Sequence, residues 1–224
     1  MHQRRAVAEA IATQGYALVR GHRPEVQSLV ALSEFGRIET VEGLNTVQQL
    51  VPRELMESPP NTYSGTFGMA EFPLHTDLAH WAVPPRFLAL RCIHGSGSVP
   101  TRLFDGGLLL KRFRPEVLRA LLVQPRRPMR NGKQLLQLLE RVESTDLLRL
   151  RWDGVYLKPA TSQSAVRFAE VKSFLERAKP SEILLLDRGD TLIVDNWRCL
   201  HGRAPVAETS GARHVDRAYL RSIS

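Results

Sequence analysis

Residues 191–203, TLIVDNWRCLHGR, begin as an uninterrupted apolar run and close on a histidine followed by a glycine and an arginine. The run over 191–199 has the length and composition of a buried strand, which predicts that His201 stands at a strand end. Segments of similar texture occur at 16–20 (YALVR), 87–93 (FLALRCI), 101–105, 147–152, 155–158 and 214–222. Helical patterns are fewer. An Ala-rich stretch covers 5–13, an apolar stripe covers 24–35, and two more helices are expected at 115–122 and 164–178. The last begins at a Ser164 cap, with Phe168, Val171, Phe174 and Leu175 on one stripe. Between 36 and 68 the pattern is loose and rich in Pro, Gly, Ser and Asn, as expected of long loops around a site. Many short strands, without βαβ alternation or a glycine-rich phosphate loop, argue against a Rossmann or P-loop domain. They predict a mainly β chain with flanking helices, an antiparallel sandwich or barrel of jelly-roll type whose interior can hold a cavity.

The 224 residues are 43% hydrophobic and 24% charged, with no low-complexity tract or internal repeat, which predicts one globular domain over 1–224. Lys plus Arg number 31 against 23 Asp plus Glu, and the resulting +8 favours an anionic partner: nucleic acid, a membrane surface or a carboxylate-bearing small molecule. The basic residues are mostly Arg and are scattered rather than gathered into one run, which weakens the nucleic-acid reading. No apolar window reaches membrane-spanning length and no signal peptide is visible, so a soluble, cytoplasmic protein with no membrane partner is expected. Cys92 and Cys199 lie in apolar runs without CxxC or zinc-ligand spacing and are expected to be buried thiols in a reducing compartment.

The chemistry starts at His75-Thr76-Asp77. In an extended segment, positions i and i+2 face the same side, so an imidazole and a carboxylate can converge on one ion. The triplet alone is weak evidence. With 7 histidines about one is expected by chance, and His214-Val215-Asp216 is a second. No histidine follows that second triplet, whereas His201 can complete the first. Two histidines and one carboxylate form the facial triad of non-haem Fe(II), with three positions open for a co-substrate and O₂. The bland alternative is a loop-capping His75, a turn-bonding Asp77 and a satisfied His201 near the surface. The last strand weighs against it. Arg213, Val215, Arg217 and Tyr219 share one face, and if that face points inward, two guanidinium groups about 13 Å apart along the backbone need an anion. A five-carbon dicarboxylate such as 2-oxoglutarate supplies one. Arg213 would hold its distal carboxylate bidentately while the 2-oxo acid end meets the metal, with Arg217 near the metal-side carboxylate or an anionic substrate group.

Two stretches carry a resemblance. One is 72–78 (FPLHTDL) followed by Pro84-Pro85 and 87–93; the other is 195–203 followed by Arg213-His214 and Ala218-Tyr219. They resemble the superfamily of Fe(II)/2-oxoglutarate-dependent oxygenases that includes taurine dioxygenase (TauD/TfdA) and γ-butyrobetaine hydroxylase. The second stretch looks most like the γ-butyrobetaine hydroxylase branch, and 16–21 is similar to the family's first core strand. The resemblance implies a double-stranded β-helix, a cupin-like jelly roll, with iron bound by His75, Asp77 and His201 and 2-oxoglutarate bound by Arg213. Thr101 falls where taurine dioxygenase has the threonine that contacts the same co-substrate carboxylate. There are departures. The gap from His201 to Arg213 is short, which leaves Arg217 open as the main anchor, and Ser98-Val99-Pro100 replaces the usual Gly-Gly. Nothing resembles the N-terminal extra domain of the carnitine-pathway hydroxylases. Related halogenases have a small residue where Asp77 stands, so the intact carboxylate implies oxygen transfer.

The expected activity is that of a dioxygenase using Fe(II), 2-oxoglutarate and O₂. It would hydroxylate an unactivated C–H bond of a small amino-acid-like or carboxylate-bearing metabolite and release succinate and CO₂. Tyr63, Glu71, His80, Trp81 and Arg217 are the candidate substrate contacts, and catalysis otherwise rests on the metal centre. Desaturation, epimerisation and cyclisation are alternative outcomes of the same chemistry. Rival readings are a nucleic-acid-modifying oxygenase that uses the +8 charge, a metal-binding cupin-like protein without turnover, and a basic β-barrel that binds nucleic acid. The last predicts aromatics interleaved with Lys and Arg, but aromatics are 7% of the chain and the arginines are dispersed.

Overall fold

A computed structural model describes residues 2–60, 62–126, 135–143, 145–207 and 213–224. In chain order come α1 (His2–Gln14), β1 (Tyr16–Val19), α2 (Ser28–Ser33), β2 (Gly36–Glu39), β3 (Gln48–Leu50), α3 (Tyr63–Phe67), β4 (Phe72–His75), β5 (Phe87–His94) and β6 (Thr101–Asp105). Next are α4 (Gly107–Arg112), α5 (Pro115–Ala120), β7 (Leu122–Pro125), β8 (Leu136–Gln137), β9 (Leu139–Arg141), β10 (Leu148–Leu150) and β11 (Leu157–Pro159). The chain continues with α6 (Ser162–Glu176), β12 (Ser181–Ile183), β13 (Thr191–Asp195), β14 (Cys199–Arg203) and β15 (His214–Ile223).

Two antiparallel sheets carry the architecture, the mainly β, cupin-like jelly roll that the strand pattern predicts. The larger runs β1-β13-β5-β15-β2 with β3 also paired to β15, and the smaller runs β12-β6-β14-β4. The larger sheet is buried on both faces. Leu88, Leu90 and Cys92 of β5 share one apolar cluster with Leu192, Val194, Val215 and Tyr219, joined there by Leu103 and Cys199 of the smaller sheet. The intervening Phe87, Ala89, Ile193, Ala218 and Leu220 pack instead with Val7 and Ile11 of α1 and Leu32 of α2. This two-residue alternation is the pleat of a strand, and burial on both faces is why the sequence reads as unbroken apolar runs. On the smaller sheet, Phe104 and Leu200 cluster with Leu109, Leu118, Phe168, Val171 and Leu175 of α4 to α6.

The apolar run at 191–199 is not one strand. β13 stops at Asp195, and after a turn β14 continues in the other sheet. Asp195 builds the turn: its Oδ1 accepts from the Trp197 amide at 3.0 Å and its carbonyl from the Arg198 amide at 3.0 Å. The helix expected over 24–35 shrinks to α2. The carbonyls of His22, Arg23 and Val26 are taken up by the buried Arg91 guanidinium, at 2.6, 2.6 and 3.3 Å, rather than by a helical ladder. The helix expected from Ser164 starts at Ser162, because Thr161 is the cap and its hydroxyl accepts the Ser164 amide. The loose region over 36–68 contributes β2 and β3, both paired with β15. Cys92 and Cys199 are free and buried, and burial pushes their thiols up to about 11 and about 12. Among the described residues no helix is long and apolar enough to cross a membrane.

Asp190 ties the start of β13 to the N-terminal part of the chain. Its carboxylate accepts from the amides of Gly21 and Leu186, both at 3.0 Å, and from Arg20 at 2.6 Å. Burial opposes the charge, but the two amides and Arg20 outweigh it and hold the carboxyl below its usual range. A depressed carboxyl contributes stability that is present above the unfolded value, about 3.9, and lost as pH falls through the lower folded value. Asp190→Asn is therefore expected to cost about 2 kcal/mol near neutral pH. It should also flatten the loss of stability below about pH 4, and urea unfolding on both sides of that pH measures the two effects.

Candidate active site

His75 closes β4 and His201 lies in the middle of β14, and the two are register partners across the smaller sheet. Asp77 follows two residues after His75. Its Oδ1 lies 3.5 Å from His75 Nε2 and 3.4 Å from His201 Nε2. All three side chains are buried, with ligand atoms within 4.8 Å of one another. Asp77 Oδ2 accepts from Arg217 Nη1 and from the Tyr219 hydroxyl, each at 2.9 Å, which leaves Oδ1 to face the imidazoles. Burial opposes the Asp77 charge, yet Arg217 and His201 outweigh it and hold the carboxyl well below its usual range. Burial first, and His75 after it, lowers His201 against the opposing pull of Asp77. His75 Nδ1 donates to the Pro73 carbonyl at 2.9 Å, which orients the ring with Nε2 toward Asp77.

The backbone at Asp77 is clamped from the β13–β14 turn. Asn196 is fully buried; its Oδ1 accepts the Asp77 amide at 2.7 Å, and its Nδ2 donates to the carbonyls of Asp77 at 3.0 Å and Pro85 at 2.9 Å. On the other side, the Thr76 amide donates to the Trp152 carbonyl at 2.8 Å. These bonds hold a segment in which Leu78 adopts φ +53°, a left-handed conformation that side chains disfavour. The donor set fits Fe(II): two imidazoles whose Nε2 atoms face Asp77 Oδ1, one carboxylate oriented by hydrogen bonds, and an open side facing a cavity of about 450 Å³.

Arg213, Thr101 and Arg217 line that cavity. Arg213 is 6% exposed and donates from Nη2 to Thr101 Oγ1 at 3.1 Å. Among the described residues no carboxylate pairs with it, and burial pushes its guanidinium down to about 10. Arg217, in contrast, is committed to Asp77 and, at 2.5 Å, to Gln48 Oε1 of β3. Burial works against its charge and Asp77 outweighs that effect, so it titrates above its usual range. Tyr63 stacks on His75 at 4.0 Å between ring centroids, and His80 also lines the cavity. Glu71 and Trp81 lie outside the lining. Glu71 turns to Arg102 at 2.6 Å, and Trp81 offers its carbonyl to Arg151 at 2.6 Å.

Sequence reasoning missed Asp153 and Tyr156, which line the cavity beside Tyr63. Asp153 is 3% exposed, and its Oδ1 accepts the amides of Val155 at 2.7 Å and Tyr156 at 2.8 Å. Burial pushes its carboxyl up. Burial and the neighbouring Asp153 push the Tyr63 phenol well up. The local signal was only an Asp-Gly pair after an apolar strand; what brings it to the site is the long-range bond from Thr76 to Trp152.

Residues 2–219 match the family model described as "Taurine catabolism dioxygenase TauD, TfdA family". Among solved structures, asparagine oxygenase in complex with Fe(II), 2S,3S-3-hydroxyasparagine and succinate is 19% identical with a TM-score of 0.73, over 98% of this chain and 79% of that one. The non-haem iron oxygenase OrfP in complex with Fe and α-ketoglutaric acid is 19% identical, TM-score 0.71, over 98% and 79%. PvcB from Pseudomonas aeruginosa is 18% identical, TM-score 0.68, over 97% and 79%. A comparison with curated proteins finds no match. The structural likenesses concern the fold, and the family match spans nearly the whole length: the chain belongs to the TauD/TfdA dioxygenase family.

Proposed function

We propose that this chain is an Fe(II)- and 2-oxoglutarate-dependent dioxygenase that hydroxylates a C–H bond of a small amino-acid-like substrate, with His75, Asp77 and His201 holding the metal. The observation that carries this reading is a buried His-Asp-His cluster sharing its cavity with Arg213, a buried cation with no counter-charge among the described residues. When bound, Fe(II) supplies the oxidative chemistry, coupling decarboxylation of 2-oxoglutarate by O₂ to hydroxylation of the substrate, with succinate and CO₂ released. The protein's part is to orient and exclude. Asn196 fixes the Asp77 backbone, Arg217 and Tyr219 turn the Asp77 carboxylate, and Arg213 with Thr101 receives the remote carboxylate of the co-substrate. Tyr63 covers the His75 face and keeps water from that side.

Asp153 defines the substrate side. A buried carboxylate flanked by Tyr63, Tyr156 and His80 offers a charge and ring faces to a cationic or amide-bearing group. Arg217, though paired with Asp77 and Gln48, keeps a buried Nε without a partner among the described residues, and that donor suits a substrate carboxylate, so a zwitterionic amino acid suits both ends. The 195–203 motif supports a place near the γ-butyrobetaine hydroxylase branch, the match over 2–219 supports one domain over 1–224, and two free buried thiols support a reducing, cytoplasmic setting. Anaerobic titration of the Fe(II)-loaded protein with 2-oxoglutarate is expected to give the weak visible charge-transfer band of the chelate, and its absence sinks the reading. A screen of free amino acids, including L-asparagine and L-arginine, by succinate release then finds the substrate. Against that substrate, Asp153→Asn is expected to raise KM roughly tenfold or more. Substrate-free consumption of 2-oxoglutarate should stay near the wild-type rate, and an unchanged KM would remove Asp153 from substrate binding.

A further inference from the structure

Arg203, the arginine that closes the 191–203 stretch, has no part in the chemistry above. It sits two positions after His201 on β14, on the same strand face, and is 7% exposed. Its register partner is Thr101, the residue whose hydroxyl receives Arg213. Its Nη2 donates to the carbonyls of Gly68 and Ala70, both at 2.7 Å, and its guanidinium lies over the Phe72 ring at 3.6 Å. Its Nε is buried without a hydrogen-bond partner, and among the described residues no carboxylate pairs with it. Arg203, Thr101 and Arg213 line the same cavity. Two buried guanidinium groups beside one threonine, with no anion paired to them among the described residues, form a costly arrangement that a bound anion relieves.

We propose that Arg203 is a specificity-determining residue for the co-substrate, sharing its remote carboxylate with Arg213 and Thr101 so that this end of the cavity selects 2-oxo diacids over 2-oxo monoacids. The inference rests on the 2-oxoglutarate reading above. It gives the guanidinium two tasks. One edge grips the turn at Gly68 and Ala70 that follows α3, the helix carrying Tyr63, and the remaining donors face the anion. Lys could not do both, because a single ammonium lacks the planar fork.

The test compares dissociation constants measured by calorimetry, without O₂, on the Fe(II)-loaded wild type and on Arg203→Gln. Two probes are used: 2-oxoglutarate, and 2-oxobutyrate, which presents the same 2-oxo acid but no remote carboxylate. Arg203→Gln is expected to weaken 2-oxoglutarate roughly tenfold to hundredfold and to leave 2-oxobutyrate within about twofold, so selectivity collapses. Equal losses for both probes would show that Arg203 only braces the turn, and the proposal falls, as it does if neither affinity moves. A wild type that binds no 2-oxoglutarate overturns the functional reading together with this one, whereas a wild type that binds it and a variant that keeps the selectivity overturn this one alone. Arg203→Lys retains the charge and is expected to show intermediate selectivity, and it carries the comparison if the Gln variant does not fold.

Discussion

Asp77→Ala is expected to lower Fe(II) affinity by more than about 100-fold and to bring succinate formation to background. In the proposed triad the carboxylate offers one of three ligand atoms, and its second oxygen is the acceptor shared by Arg217 and Tyr219. Truncation leaves a guanidinium and a phenol buried without that acceptor, so the two imidazoles face an uncompensated cation instead of an anion. Asp77→Asn separates the two effects. It keeps the shape but turns an acceptor pair into one acceptor and one donor, with the charge lost, and its metal affinity should also fall. Competition with a chromophoric chelator measures affinity, with thermal melting as the control for folding. Tight metal binding by both variants would remove Asp77 from the triad.

Arg213→Met is expected to weaken 2-oxoglutarate binding by about 2–5 kcal/mol, which is roughly 30-fold or more, while Fe(II) affinity changes little. The same substitution should leave the metal-free, ligand-free protein as stable as the wild type or more so. The reason is that Arg213 is a buried cation whose one side-chain partner among the described residues is a neutral hydroxyl, and an apolar side chain of similar volume avoids its desolvation. Opposite signs for binding and for stability distinguish a group placed for a ligand from one placed for the fold. Calorimetric titration and thermal melting give the two numbers. An unchanged co-substrate affinity would move the anchor role to Arg217, and a large loss of ligand-free stability would make Arg213 structural.

The parts of the fold and site legible in the sequence obey a two-residue period. His75 and Asp77 converge as i and i+2, and Arg217 and Tyr219 reach the cavity from one face of β15 to meet Asp77, while Arg213, just before that strand, meets Thr101. The β13–β14 break was hidden because apolar packing on both faces erases alternation, and the turn is made by Asp195 and Asn196 rather than by Gly or Pro. β4, β7 to β9 and β12 are too short for a pattern to rise above chance. Nearness in sequence misled at Glu71 and Trp81, which flank the metal motif but lie outside the cavity lining, Glu71 paired with Arg102 and the Trp81 carbonyl held by Arg151. Gln48, Asp153 and Tyr156 enter through tertiary pairing, of β3 with β15 and of Thr76 with Trp152, which no local window contains.

The Asn196 clamp on Asp77 sets an order of events during synthesis. Its partners are 119 positions apart, and the strands that frame the site are equally late: β1 waits for β13, and β5 for β15. A nascent chain thus displays His75 and Asp77 while their scaffold is still unmade, and closing so long a span is slow and entropically costly. A lone His-x-Asp in an unfolded chain grips a divalent ion weakly. On the proposed reading of the triad, tight capture of iron would be the last step of assembly, after the walls that contain its reactivity are built.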